Sequence, residues 1–208
     1  MCGIAGFWRK NGIAPSELTY LEKAVNRLNK RGPDYSDLFH NGNVGLGHAR
    51  LSIIDTSNAA NQPFKDTSGK FTIVFNGEIY NFKEHRKTLE KNGIQFRTES
   101  DTEVLLELYK IHKSETPKLL NGFFAFAIYD QQVGELFMAR DRYGIKPLFF
   151  YEDNQQYCFA SELKALMELN IEKSPDYRSI YRYFQLNYIP GTDTIFKKVK
   201  QVEPGTSI

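Results

Sequence analysis

The chain opens Met1-Cys2-Gly3-Ile4-Ala5-Gly6-Phe7. Once Met1 is removed, one residue carries both a thiol and a free α-amine, so a nucleophile and its base stand together without a histidine. The competing reading of an isolated Cys2 is a small apolar residue that begins a strand, a common role for cysteine. Four further stretches are dense in polar chemistry. Gly47-His48-Ala49-Arg50-Leu51-Ser52-Ile53 sets an arginine in an apolar strand. Arg50 either faces solvent there or pairs with an anion, because an unpaired buried charge is costly. Asn76-Gly77-Glu78-Ile79-Tyr80-Asn81 comes after a β run. Asn-Gly is a strong hairpin signal, but the segment beyond it reads as a helix, which suits a plain hairpin poorly. The other reading pairs the Asn76 amide with a glycine N–H as a two-donor oxyanion hole, glycine allowing close backbone approach. Thr98-Glu99-Ser100-Asp101-Thr102-Glu103 suits an acidic helix N-terminus, or makes Asp101 the partner of a substrate ammonium. Ala139-Arg140-Asp141-Arg142-Tyr143-Gly144-Ile145-Lys146-Pro147 reads as a charged turn with Gly144 at positive φ, with a place in a site as its alternative.

The elements that must position these residues follow from periodicity. Residues 2–8 read as a buried strand. Leu18, Leu21, Val25 and Leu28 recur at helical spacing, with a capping box from Thr19 and Glu22 and an end at Gly32-Pro33. Two β runs, 36–40 and 44–54, are joined by Asn41-Gly42, and 71–75 is strongly β. A helix is expected from Asn81 to Asn92, ending at Gly93, and another from near Ser100 with Glu103 three residues on. Four β segments follow, near 123–129, 135–140, 147–152 and 157–161, and a short helix at 176–187 precedes a looser tail. Strands at both ends with helices between them predict an α+β fold with antiparallel sheets rather than a βαβ alternation.

Bulk properties narrow the class. The chain has 208 residues, 41% hydrophobic and 14% aromatic, enough for one substantial core and a trailing segment. A net charge of +2 gives no reason to expect nucleic acid or an acidic membrane as partner. Cys2 and Cys158 are the only cysteines, too few for a disulfide framework or a cysteine zinc site. Cys158, in an alternating stretch, is expected in the core. Histidines 40, 48, 85 and 112 show no paired ligand spacing, so no metal is assigned. The glycines at 42, 45 and 47 suit a hairpin rather than a phosphate-binding loop. No signal peptide or spanning segment is visible, and a soluble, cytoplasmic protein is expected.

Taken in order, MCGIAGFW, RGPDYSD at 31–37, GHARLSIID at 47–55, NQPF at 61–64, FNGEIYNF at 75–82, SDTEVLL at 100–106, NGFFAFAIYD at 121–130, ARDRYGIKPL at 139–148 and FASELKAL at 159–166 resemble the class II glutamine amidotransferase domain of the glutamine-hydrolysing asparagine synthetase type. The resemblance runs over nearly the whole chain. It implies an N-terminal-nucleophile fold, a four-layer αββα sandwich of two antiparallel sheets. It also implies Cys2 as nucleophile, with Asn76 and the Gly77 N–H as oxyanion hole. Arg50 would hold the glutamine α-carboxylate, a task suited to a guanidinium fork. Asp101 and Glu78 would hold its α-ammonium, and Leu51 and Ile53 would line the pocket.

On the same resemblance, residues 1–169 form the glutaminase domain and 170–208 lead toward a C-terminal synthetase domain of the same polypeptide. That domain would use ATP and magnesium, while this one needs no cofactor. Its pyrophosphate loop, similar to Ser-Gly-Gly-x-Asp-Ser, does not occur here, so the chain reads as an excised or truncated domain. The implied partners are L-glutamine and the synthetase domain, with a homodimer left open. The ammonia acceptor is aspartate by default, with a sugar or another metabolite as the alternative. A non-catalytic regulatory domain that keeps the fold is the rival of another class.

Overall fold

The computed structural model describes residues 1–208. In chain order, β1 (Gly3–Arg9), α1 (Pro15–Asn26), β2 (Tyr35–Asn41) and β3 (Val44–Arg50) come first. Next are β4 (Phe64–Lys65), β5 (Phe71–Ile79), α2 (Phe82–Lys91), α3 (Asp101–His112) and the short α4 (Thr116–Leu119). After these come β6 (Gly122–Asp130), β7 (Glu135–Arg140), β8 (Phe149–Glu152), β9 (Gln156–Ala160), α5 (Leu163–Leu166), α6 (Tyr177–Leu186) and β10 (Val199–Gln201). The strands form two antiparallel sheets. One has six strands in the order β10-β8-β9-β1-β3-β2, the other four in the order β4-β5-β6-β7.

Alternation along the strands builds three apolar layers, because successive side chains point to opposite sheet faces. In β1, Ala5 and Phe7 pack with Leu21 and Val25 of α1 and with α5. Ile4 faces the other way and joins Leu46, Val74, Ala125, Ala127 and Phe159 between the two sheets. In β5, Ile73 and Phe75 turn outward onto Val104, Leu105 and Leu108 of α3 and Leu89 of α2. Helices, sheet, sheet and helices therefore stack in four layers, the expected αββα sandwich. β10, from the segment after residue 169, pairs with β8. Met138 and Ile208 exchange backbone hydrogen bonds at 2.8 and 2.9 Å, tying that segment to β7 as well.

Four local expectations are corrected. Helix α1 starts at Pro15, where proline is already set for the first helical position. Its capping carboxylate is Glu17, which accepts from the Ala14 N–H at 2.9 Å, so Thr19 and Glu22 lie inside the helix. The helix also stops at Asn26, before Gly32-Pro33. The β2–β3 turn is centred on Gly42-Asn43, because Asn41 pairs with Val44; Gly42 takes φ +55° at the first central position, as in a II′ hairpin. Strand β3 ends at Arg50 and does not reach residue 54. Asn76, Gly77 and Glu78 lie within β5, paired to Ala125, Phe124 and Phe123, and do not follow the strand.

Candidate active site

β1 and β3 are antiparallel neighbours, with Gly3 opposite Ala49, so the start of one and the end of the other share an edge. Cys2 and Arg50 stand at that edge. The C-terminal half of β5 brings Asn76 to Glu78, and the first residue of α3 brings Asp101. A cavity of about 180 Å³ opens where they meet, and Cys2, Arg50, Leu51, Ile53, Asn76, Gly77, Glu78 and Asp101 all line it. Ile53 is 67% exposed and stands at the rim, whereas Leu51 is half-buried.

The Cys2 Sγ lies against the loop after β3, accepting from the Leu51 N–H at 3.4 Å and donating to the Leu51 carbonyl at 3.6 Å. Burial raises its proton affinity, opposed by the Leu51 contact, the N-terminal amine and Arg50. The amine sits on Met1, where burial lowers its pKa below the ordinary terminal value. Arg31 Nε donates to the Cys2 carbonyl at 2.9 Å and Arg31 also pairs with Glu162 at 3.1 Å, which holds the start of the chain in place.

Arg50 is buried and has its guanidinium wrapped by the following loop. It donates to the Ser57 carbonyl at 2.9 Å, to Asn61 Oδ1 at 2.5 Å and to the Asp55 carbonyl. These three bonds use three of its five N–H groups, so it keeps donors for an anion. Asp101 is 5% exposed and accepts from the Ile79 N–H at 3.0 Å. Burial, with the neighbouring charge of Glu78 acting in the same direction, pushes its pKa up to about 6. Ser100 caps α3 by accepting from the Glu103 N–H at 3.3 Å. Helix-capping chemistry and a site carboxylate thus coexist in this stretch.

Asn76 is fully buried, and neither its amide nitrogen nor its amide oxygen has a hydrogen-bond partner. An unsatisfied buried polar group costs about 1–3 kcal/mol, so this amide is held for something other than stability. A Cβ on Gly77 would lie 2.4 Å from the Phe123 carbonyl oxygen, so only glycine keeps β5 this close to β6 beside the cavity. His48 is buried one strand pair away and bonds the Phe75 carbonyl through Nε2 at 3.1 Å. Burial lowers its pKa to about 3, and it does not line the cavity, so it offers no base to Cys2.

Gln62 and Lys146 also line the cavity, and no local pattern assigns them to it. Gln62 accepts from the Phe75 N–H at 2.6 Å and donates to Thr102 Oγ1 at 3.3 Å, tying β5 to α3. Lys146 reaches the cavity from the turn between β7 and β8. The NQPF and GIKP segments that contain Gln62 and Lys146 are signals without a local geometric meaning. No group of three or more His, Cys, Asp or Glu side chains is arranged to hold a metal ion.

The sequence profile described as the glutamine amidotransferase domain matches residues 1–208. The chain belongs to that family. It is 40% identical over 210 residues to asparagine synthetase [glutamine-hydrolyzing] 1 of Bacillus subtilis, a match that covers 99% of this chain and 33% of that protein. It is 37% identical over 213 residues to asparagine synthetase 3 of the same organism, covering 100% and 34%. This amidotransferase domain therefore spans about a third of the length of the curated relatives it matches. Among solved structures, the glutamine phosphoribosylpyrophosphate amidotransferase of B. subtilis, complexed with ADP and GMP, superposes with a TM-score of 0.66 at 25% identity. That match covers 81% of this chain and 43% of the other. The α+β, N-terminal-nucleophile architecture of the domain is shared with it. No helix of the domain is long and apolar enough to cross a membrane.

Proposed function

We propose that the domain hydrolyses L-glutamine to glutamate and ammonia through a thioester on Cys2, after removal of Met1. The observation that carries this reading is a single cavity containing a thiol, a buried amide without partners, a cation with free donors and a buried carboxylate. The Cys2 thiol attacks the side-chain amide carbon while the Cys2 α-amine accepts its proton, directly or through water. An α-amine titrates near ~7.7–8.0 and a free thiol near ~8.5, so this transfer is close to balanced. Asn76 Nδ2 and the Gly77 N–H donate to the oxyanion of the tetrahedral species. Collapse breaks the C–N bond, the amine returns its proton to the leaving nitrogen, and ammonia departs. Water then adds to the γ-glutamyl thioester, and the C–S bond breaks to give glutamate and the free thiol.

Arg50 holds the glutamine α-carboxylate, Asp101 and Glu78 hold the α-ammonium, and Leu51 and Ile53 flank the aliphatic stem. No cofactor is assigned to these steps. Residues 1–169 carry the glutaminase, and residues 170–208 lead toward a synthetase domain in a cytoplasmic protein. There, ATP and magnesium would activate aspartate, or a related carboxylate, for the ammonia. The reading of the acceptor rests on the relatives named as glutamine-hydrolysing asparagine synthetases. Glutamate release from glutamine by the processed chain and by Cys2→Ala tests the first half. Loss of turnover with an unchanged unfolding midpoint is expected; turnover retained in Cys2→Ala would remove Cys2 from the reaction.

A further inference from the structure

Four cations of the chain are buried: Arg9, Arg50, Arg140 and Lys146. The three arginines are engaged by oxygen atoms. Arg9 pairs with Glu17 at 2.7 Å, Arg50 donates to the loop after β3, and Arg140 donates to the Lys146, Gly144 and Val202 carbonyls at 2.6–2.8 Å. Lys146 differs: its ammonium makes no hydrogen bond or ion pair and rests 4.3 Å from the centroid of the Phe123 ring. Its backbone is fixed from both sides. The Lys146 N–H donates to Asp141 Oδ2 at 3.0 Å, and its carbonyl accepts from Arg140 Nε at 2.8 Å. The side chain is therefore aimed into the cavity wall that it shares with Cys2, Gly77 and Glu78. An ammonium at a cavity wall with only a ring face for company is free to act on a negative group that forms opposite it.

We propose that Lys146 is the electrostatic positioning residue of the nucleophile, its ammonium supplying the positive field that favours the Cys2 thiolate as the thiol proton passes to the α-amine. The inference rests on the reading of Cys2 as nucleophile and deepens it. The charged groups facing this corner are the Met1 amine, Arg31, Asp34, Arg50, Glu78, Asp101 and Asp141. With Met1 in place, the amine on Met1 is lowered by burial, raised by Cys2, lowered by Lys146 and Arg31, and raised by Asp34. Burial acts most strongly on Cys2 and disfavours its thiolate, which the Leu51 contact, the Met1 amine and Arg50 favour and Asp101 opposes. Burial and Arg31 lower Lys146 itself, while Cys2, Glu78 and Asp141 favour its charged form. A cation beside a thiol lowers its pKa and makes it reactive at neutral pH.

The test is the pH dependence of Cys2 alkylation by iodoacetamide in the chain that begins at Cys2, for wild type, Lys146→Met and Lys146→Arg. Cys158 does not compete, because burial pushes its thiol up to about 12. Lys146→Met is expected to move the apparent midpoint up by about one unit, which slows alkylation near neutral pH about tenfold. Lys146→Arg is expected to stay near the wild-type midpoint. An unmoved midpoint in Lys146→Met overturns the proposal. An equal shift in Lys146→Arg also overturns it, since shape rather than charge would then be responsible. If Lys146→Met does not fold, Lys146→Gln carries the same comparison. Glutamine turnover on the same samples separates the two readings: a normal Cys2 titration without turnover contradicts the glutaminase and leaves the Lys146 field measured.

Discussion

Two regions of this domain look alike as charge-dense segments and behave in opposite ways. In the turn after β7, Asp141 accepts from four backbone N–H groups, those of Phe124, Tyr143, Ile145 and Lys146, at 3.0–3.2 Å. Arg140 is as fully engaged by carbonyls, and Gly144 supplies the φ of +64° that closes the turn. In the Cys2 cavity, Asn76 has no partner, Arg50 keeps free donors and burial pushes the Asp101 pKa up to about 6. The saturated polar groups of the turn hold the fold, whereas the unsaturated groups of the Cys2 cavity face a ligand-sized space. The charged turn is structural through Arg140 and Asp141, and only Lys146 leaves it for the cavity.

That contrast can be broken most sharply with Asn76→Ala. Loss of one oxyanion donor is expected to lower kcat about 100- to 1,000-fold. Because the amide makes no hydrogen bond, its removal relieves an unsatisfied buried group, and the unfolding free energy should hold level or rise by up to about 1–3 kcal/mol. Chemical denaturation together with glutamate release checks both halves. A large stability loss with intact kcat would place Asn76 with the structural group.

Asp141→Ala should do the reverse. Four backbone donors lose a charged acceptor, so a stability loss of about 3 kcal/mol is expected from the denaturation midpoint. The turnover of the remaining folded protein should fall far less than in Asn76→Ala. Arg50→Lys replaces a planar fork by a point charge, and a rise in KM of about tenfold or more with a smaller change in kcat is expected from initial rates. An unchanged KM would leave Arg50 as a loop anchor only.

The smallest effect is the titration of Asp101. With its pKa near 6, the carboxylate is charged above that pH and neutral below it. If it holds the α-ammonium, kcat/KM for glutamine should rise as pH increases through about 6. Stability should run the other way. A carboxyl whose folded pKa exceeds the unfolded value binds more protons when folded, so stability falls as pH rises from about 4 to 6. Asp101→Asn should remove that slope while weakening glutamine binding. A wild-type stability profile without the slope would contradict the burial argument.

Much of the fold was legible in the sequence because it depends on local pattern. Alternation located the β segments near 123–129 and 135–140, and Ser100 with Glu103 marked the start of α3. Errors arose where one residue could satisfy two local rules. Thr19 and Glu22 have capping-box spacing, but Pro15 starts the helix earlier. Asn76-Gly77 has the composition of a turn, yet nine consecutive pairings with β6 keep it in a strand. The cavity itself is a meeting of segments from positions 2, 50, 76, 101 and 146, and no periodicity encodes that meeting. The motif resemblance assigned most of its residues. Gln62 and Lys146 stayed hidden because their roles depend on contacts across the sheets.

Cys2 stands at the centre of the reaction, and the proposed proton transfer requires its α-amine to be free. The direct measurement is glutamine turnover by two preparations of known intact mass, one with Met1 removed and one with Met1 retained. The processed chain is expected to release glutamate. The Met1-bearing chain, with its base locked in a peptide bond, is expected to be slower by about 100-fold or more. Equal turnover in the two preparations would contradict the role of the Cys2 amine as the base of the reaction.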